Sequence, residues 1–314
     1  MKIVSSILFL SLFLLGNGEV VGQTDLIRNC EHCLVVCEQS QHRIVIVNID
    51  SKKIIWEWKA KESNVAVEHV KWFDHPDEAK PVYSNKYILM TASGGVTALI
   101  RIADKKAVFY TYTGGNPHSA EMLPDGNIVA ASSEGNTLKL FKVDTLISPE
   151  KVYATTYRVV DGHNVVWDKK REVLYAGSGR QLYSYTYNND CKKPALKLSD
   201  SVSLPASLHD LFPVYGRDAL CLTTKDNVFV YDLTDRKFKP ASIAKQRNIK
   251  SVSSGPAGFP TVVIHPTESW WTDTVLNENG DAVFEEHGLK IYKARWLLDN
   301  SFSYPSDDVL RICR

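Results

Sequence analysis

The chain has 314 residues, of which 44% are hydrophobic and 23% charged, and its formal net charge is +1. This composition excludes a largely disordered chain, and the near-zero charge excludes a whole-protein field that steers the molecule to nucleic acid. The length suits one large all-β domain or two ordinary ones.

Met1-Lys2 is followed by an apolar run from Ile3 to Leu15, a polar patch and Val20-Val21-Gly22. One positive charge, a short apolar stretch and a small residue describe a secretory signal over residues 1–22, leaving a single domain over 23–314. The run is too short for a comfortable membrane span, so none is expected after its removal, and the expected location is secreted or periplasmic. Six cysteines follow, at 30, 33, 37, 191, 221 and 313. An even count in an exported chain permits disulfides. Cys30-x-x-Cys33 with Cys37 has no second CxxC partner, which disfavours a zinc knot. Cys221, inside the predicted strand Ala219 to Leu222, reads as a buried thiol.

From there the chain is a succession of short strands. Leu34 to Glu38, Arg43 to Asn48 and the alternating Ile54 to Trp58 come first. Asn64 to Phe73 opens a second unit, with Pro76 to Pro81 read as an insertion before Tyr87 to Ser93, Val96 to Ile102 and Ala107 to Tyr112. The third unit opens at Pro117-His118-Ser119, turns at Pro124-Asp125-Gly126-Asn127, and continues through Ile128 to Ser132, Asn136 to Phe141 and Val152 to Arg158. Three further units start near His163, His209 and Lys250. No segment sustains helical spacing, so the class is all-β.

Glu68-His69-Val70, Pro117-His118-Ser119, Gly162-His163-Asn164, Leu208-His209-Asp210, Ile249-Lys250-Ser251 and Tyr292-Lys293-Ala294 align as the openings of successive units. Periods in the forties fit one four-stranded propeller blade. The first unit lacks an opening strand and the last has only that strand, so the two make one blade. The expectation is a six-bladed β-propeller in which Lys290 to Trp296 pairs beside Leu34 to Glu38 and removes the open sheet edges.

In a propeller the opening strands line the central channel. His69, His118, His163, His209, Lys250 and Lys293 are therefore expected in one ring, with Lys71 and Arg295 two residues on and on the same face. Neutral imidazoles can ligate zinc, manganese or nickel, so His69, His118, His163 and His209 form a candidate divalent metal site. Nearby lysines argue instead for an anion, such as a phosphate, a sulfate or a carboxylated sugar. Trp167, Trp270 and Trp271 could stack on a sugar but read better as core. Gly114-Gly115-Asn116 precedes no helix, and no Gly-x-Ser-x-Gly elbow occurs.

Val36 to Gln39, Thr91 to Val96, Asn116 to Ser132, His163 to Asp168, His209 to Tyr215, Ile249 to Val252, Trp271 to Val275 and Tyr292 to Trp296 occur in an order that resembles an uncharacterised family of exported bacterial six-bladed propellers. The resemblance spans about residues 34 to 298 and implies the fold, with no activity attached. The channel histidines are also similar in kind to those of virginiamycin-type and oligogalacturonate-type lyases, an analogy of architecture that no motif carries residue by residue.

The leading functional expectation is a monomeric exported propeller binding a small anionic or glycan ligand at the channel mouth, with no certain cofactor. The alternatives are a metal-dependent polysaccharide lyase or hydrolase and a protein-interaction platform; whether the chain is an enzyme stays open. Because the chain ends should meet, Cys313 is expected to bridge to Cys30 or Cys33, with Cys30 preferred because it lies outside the strand.

Overall fold

The computed structural model describes residues 27–303 and 309–313. The segment read as a signal, 1–22, lies outside them. No helix among the described residues is long and apolar enough to cross a membrane.

Strands β1 (Cys33–Glu38), β2 (Arg43–Asn48) and β3 (Lys53–Lys59) begin the first blade. The second holds β4 (Pro76–Val82), β5 (Tyr87–Ala92), β6 (Val96–Arg101) and β7 (Lys106–Tyr112). The third holds β8 (Pro117–Met122), β9 (Ile128–Ser132), β10 (Thr137–Phe141) and β11 (Ala154–Arg158). The fourth is β12 (Asn164–Asp168), β13 (Val173–Gly177), β14 (Gln181–Tyr187) and β15 (Leu196–Ser203); the fifth is β16 (Leu208–Pro213), β17 (Ala219–Thr224), β18 (Val228–Asp232) and β19 (Lys237–Pro240). The sixth is β20 (Ser251–Ser253), β21 (Val262–Ile264), β22 (Thr274–Leu276) and β23 (Ala282–Glu285). The last strand, β24 (Ile291–Trp296), returns to β1, giving the sheet order β24-β1-β2-β3 and six four-stranded sheets.

Closure has the expected register: Leu34 opposes Trp296, Val36 opposes Ala294 and Cys37 opposes Lys293. Apolar packing between blades explains the sequence pattern. Each inner or second strand has a neighbouring blade on both faces, so β5 and β9 are buried at every position and read as continuous apolar runs. Outer strands meet solvent on one face or both, which makes β7 alternate and leaves most of β15 exposed. Between the last and first blades, Ile264, Phe284, Val36 and Ala294 belong to one buried cluster.

The reading of Pro76 to Pro81 as an insertion is corrected: this segment is β4, the inner strand of the second blade, and all seven of its residues are buried. The expected Cys30–Cys313 bridge is also corrected. Cys30 is bonded to Cys33, and Cys313 to Cys191, with Cα–Cα distances of 5.7 and 5.5 Å. The chain does return to the first blade with β24, but it then continues across the far end of the propeller. Phe302 accepts a hydrogen bond there from the backbone of Lys169, and Arg311 donates its backbone N–H to the Tyr83 hydroxyl. Cys313 thus reaches the β14–β15 connection, where Cys191 lies. A β-carbon on Gly126 (φ +91°) would sit 2.4 Å from the Arg311 carbonyl oxygen, so that turn needs glycine for its backbone and for the passing tail. Cys37 and Cys221 are free and buried, the latter as expected.

Candidate functional site

The inner strands deliver side chains to the axis in layers. At one end, β-bulges occur between Pro76 and Glu78, Pro117 and Ser119, and Leu208 and Asp210, leaving Asp77, His118 and His209 as the bulged residues. Opposite the Cys37/Glu38 shift in the closing blade, Tyr292 is the bulged residue. His163 and Lys250 stand immediately before β12 and β20, with backbone N–H groups bonded to Gly177 and Ile264. A bulge re-aims the side chain it carries. Here the bulges turn Asp77, His118, His209 and Tyr292 toward the same mouth that His163 and Lys250 reach from the residues preceding their strands.

The rings confirm the convergence. His118 and His163 stack with centroids 4.8 Å apart, His163 and His209 are 5.6 Å apart, and His209 and Tyr292 are 5.9 Å apart. Lys250 Nζ lies 3.0 Å from His209 Nε2, and the Tyr292 hydroxyl 3.2 Å from the same nitrogen. With Nε2 accepting from an ammonium and a phenol, neutral His209 carries its proton on Nδ1, and that atom is buried without a partner. His118 Nδ1, Ser119 Oγ and Asn164 Oδ1 are likewise buried and unpartnered.

Electrostatics at the mouth follow from burial. Loss of solvent holds the His118 and His209 imidazoles well below their ordinary range, reinforced by His163 at His118 and by Lys250 at His209. Burial pushes the Asp77 carboxyl well up, against the hydrogen bond it accepts from Ser93 at 2.8 Å. His118 Nδ1 and Asp77 Oδ1 approach to 3.8 Å. That distance exceeds a hydrogen bond, and burial favours the neutral form of both groups, so the contact is a neutral pair rather than a salt bridge. Lys250 is lowered to about 8, by burial first and then by the Lys293 charge.

One layer deeper the channel is filled by compensated charge. Arg295 donates Nε and Nη2 to the two Glu78 oxygens at 2.9 and 2.8 Å, Nη1 and Nη2 to Asp210 at 2.9 and 2.7 Å, and Nη1 to the Val252 carbonyl at 3.1 Å. All five guanidinium N–H groups are thereby used. Lys293 lies 3.3 Å from Glu78, 3.1 Å from Asp210 and 3.5 Å from the His118 carbonyl. Lys80 binds Glu121 at 3.1 Å and the Val165 carbonyl at 2.8 Å. The Phe212 ring lies under Arg295 at 4.1 Å. At the far end the tail packs over the inner strands, leaving a cleft of about 40 Å³ lined by Lys80, Phe212, Trp296 and Phe302. At the histidine end the imidazoles nearly fill the mouth: the side chains of His118 and His163 are 12% and 14% exposed.

The chain belongs to the family of unknown function DUF6528, which it matches over residues 12–313. No curated protein matches it. Among solved structures it is similar to a protein of unknown function from Bacteroides caccae, with a TM-score of 0.58 and 15% identity over 84% of this chain and 98% of that one. It is also similar to Kuenenia stuttgartiensis hydrazine synthase, at 0.52 and 13% over 79% and 74%. The Cps50 (Swd1) propeller domain of Myceliophteria thermophila matches at 0.52 and 12% over 82% and 87%. At these identities the likeness is one of fold. Membership in an uncharacterised propeller family is what the sequence blocks implied.

Of the residues expected in the ring, His118, His163, His209 and Lys250 come together. His69 does not. It sits on a 3₁₀ segment, Val67–Phe73, stacked on Trp72 at 3.8 Å, with Nε2 2.7 Å from Glu150 and Nδ1 3.2 Å from the Tyr110 hydroxyl of outer strand β7. Lys71, on the same segment, is exposed. Lys293 and Arg295 do face the axis, but one layer or more below the mouth and with their donors spent. The four-histidine metal site loses a member with His69, and among the described residues no group of three metal-ligating side chains has the geometry to hold an ion. Asp77, Glu78, Lys80, Asp210 and Tyr292 were missed. Counting back from Thr91-Ala92-Ser93 would have found the first three, since Pro76-Asp77-Glu78-Ala79-Lys80 matches Pro117-His118-Ser119-Ala120-Glu121 in position. Of the tryptophans, Trp167 is core as expected, whereas Trp270 is 46% exposed.

Proposed function

We propose that this protein is an exported binding propeller whose histidine-lined mouth takes a small anionic ligand or the acidic end of a glycan. The observation that carries the reading is the convergence of His118, His163, His209, Lys250 and Tyr292 at one channel end, with buried polar atoms there lacking partners. A buried polar group without a hydrogen bond costs about 1–3 kcal/mol, so such atoms mark where a bound molecule gains most. Lys250 supplies the charge. Among the described residues it has no carboxylate within ion-pair distance, unlike Lys80 and Lys293. The nearly filled mouth favours a small head group over a threaded chain. The two disulfides support an oxidising location.

A metal-dependent lyase has less support, because Lys250 and Tyr292 occupy the His209 lone pair that a metal would need. The test is calorimetry and thermal shift with acetate, sulfate, phosphate, pyruvate and glucuronate. At about 100 times its dissociation constant, a true ligand stabilises the fold by about 2.7 kcal/mol. Binding by wild type that is lost in Lys250→Met and His163→Ala supports the reading. A ligand that binds both variants as tightly as wild type overturns it.

A further inference from the structure

Three lysines reach the channel, and they differ in what holds them. Lys80 and Lys293 are buried and locked onto carboxylates. Lys250 is half-buried, at the mouth, with His209 Nε2 at 3.0 Å. That same nitrogen is 3.2 Å from the Tyr292 hydroxyl. An amine, an imidazole that can relay its proton and a phenol that can donate one are thus gathered around a single atom. The buried Lys293 ammonium lies one residue beyond Tyr292 on the same strand. A neighbouring fixed cation disfavours a second charge at Lys250 and frees its lone pair, one of the recognised ways to activate a lysine.

We propose that Lys250 is a carbonyl-capturing amine that forms a reversible imine with a small 2-oxo acid or aldehyde entering the histidine mouth. This rests on the binding reading above, since a 2-oxo acid would have to enter the same mouth, among His118, His163 and His209. In the addition step, the Nζ lone pair attacks the carbonyl carbon. The C=O π pair moves to oxygen, which takes a proton from the Tyr292 hydroxyl, and Nζ gives a proton to His209 Nε2. The carbinolamine hydroxyl then leaves as water with the proton held on His209, while Nζ passes its remaining proton back to the Tyr292 oxygen. Amine plus carbonyl gives neutral imine plus water, with no change in oxidation state and no further reactant. Lysine at about 8 leaves about a tenth of its molecules unprotonated at pH 7, against well under a thousandth for an ordinary lysine.

Borohydride reduction of the imine to a stable secondary amine gives the test. The full chain is incubated with pyruvate, or with glycolaldehyde as the uncharged probe, reduced, and read by intact mass and peptide mapping. One adduct on the peptide carrying Lys250 is expected. It should fall at least about tenfold in Lys250→Arg and be unchanged in Lys53→Arg, an exposed lysine on β3. Labelling spread evenly over surface lysines, equal in wild type and Lys250→Arg, overturns the proposal. Wild-type thermal shift with the same five anions, run in parallel, separates the two failures. A shift without trapping sinks the imine and leaves the binding reading; no trapping and no shift with any of the five sinks both.

Discussion

Arg295 and Glu78 lie 217 residues apart in sequence and are joined by two hydrogen bonds of 2.9 and 2.8 Å across the channel. One is on the closing strand, the other on the inner strand of the second blade. The pair therefore ties the end of the propeller to its beginning through the axis, in addition to the β24–β1 ladder. Asp210 on the fifth blade completes the bridge.

Removing Arg295 should be costly, because Glu78 and Asp210 are then left buried with too little positive charge. Breaking one partner of such a buried network costs about 3–5 kcal/mol. Arg295→Met should lower stability by that order in urea denaturation, and by much less when combined with Glu78→Gln and Asp210→Asn. An Arg295→Met protein as stable as wild type would show that the network carries no load.

The mouth should make the fold acid-sensitive. His118 and His209 are held well below their ordinary range when folded, while the unfolded imidazoles titrate near 6.5. Below about pH 6.5 the unfolded chain binds more protons, so stability falls as pH falls, with a slope of up to about 2.7 kcal/mol per unit for two groups. Asp77, raised when folded, works in the opposite sense above about pH 4. Comparing wild type with His118→Gln/His209→Gln between pH 7 and 5 isolates the imidazole part: the variant should show the flatter stability profile.

Anion affinity should be lost on the alkaline side. Lys250 is charged below about 8 and neutral above it, in the company of His209, Tyr292, Lys293 and Asp77. Dissociation constants for acetate or sulfate should rise about tenfold per unit above that value if the ammonium is the main attraction. Acidification through 6.5 should add nothing through His118 and His209, because burial keeps both neutral there. Calorimetry between pH 6 and 10 reads both.

Much of the architecture was legible because it rests on periodicity. The pairing of Lys290 to Trp296 beside Leu34 to Glu38 followed from an incomplete first unit and an orphan last strand. Segment 76–81 was not legible, because Asp77, Glu78 and Lys80 between two prolines look like a surface loop by composition. Inside, Lys293 and Arg295 compensate Glu78, Glu121 and the Val165 carbonyl hold Lys80, and burial beside Ser93 favours a neutral Asp77, all partners outside the segment. Lys293 was placed one residue off, since a bulge at Tyr292 shifts the register without any signal in composition. His69 shared its neighbours' pattern but not their strand.

The tail gives a separate check. The Cys191–Cys313 bridge closes a 122-residue separation, worth about 4–5 kcal/mol in the chain-entropy treatment. Cys313→Ser should lose up to that amount, whereas truncation before β24 should abolish the fold, because it removes the inner strand of the first blade together with Lys293 and Arg295. Melting curves of the two proteins, with and without reductant, compare them.

The proposed ligand site at the histidine end of the channel is open to NMR of imidazole-labelled protein, which has nine histidines, titrated with acetate and pyruvate. Saturable shifts are expected at His118, His163 and His209, with His32, His42 and His287 unmoved. Shifts confined to His32, His42 and His287, or none anywhere at saturating ligand, would rule that site out.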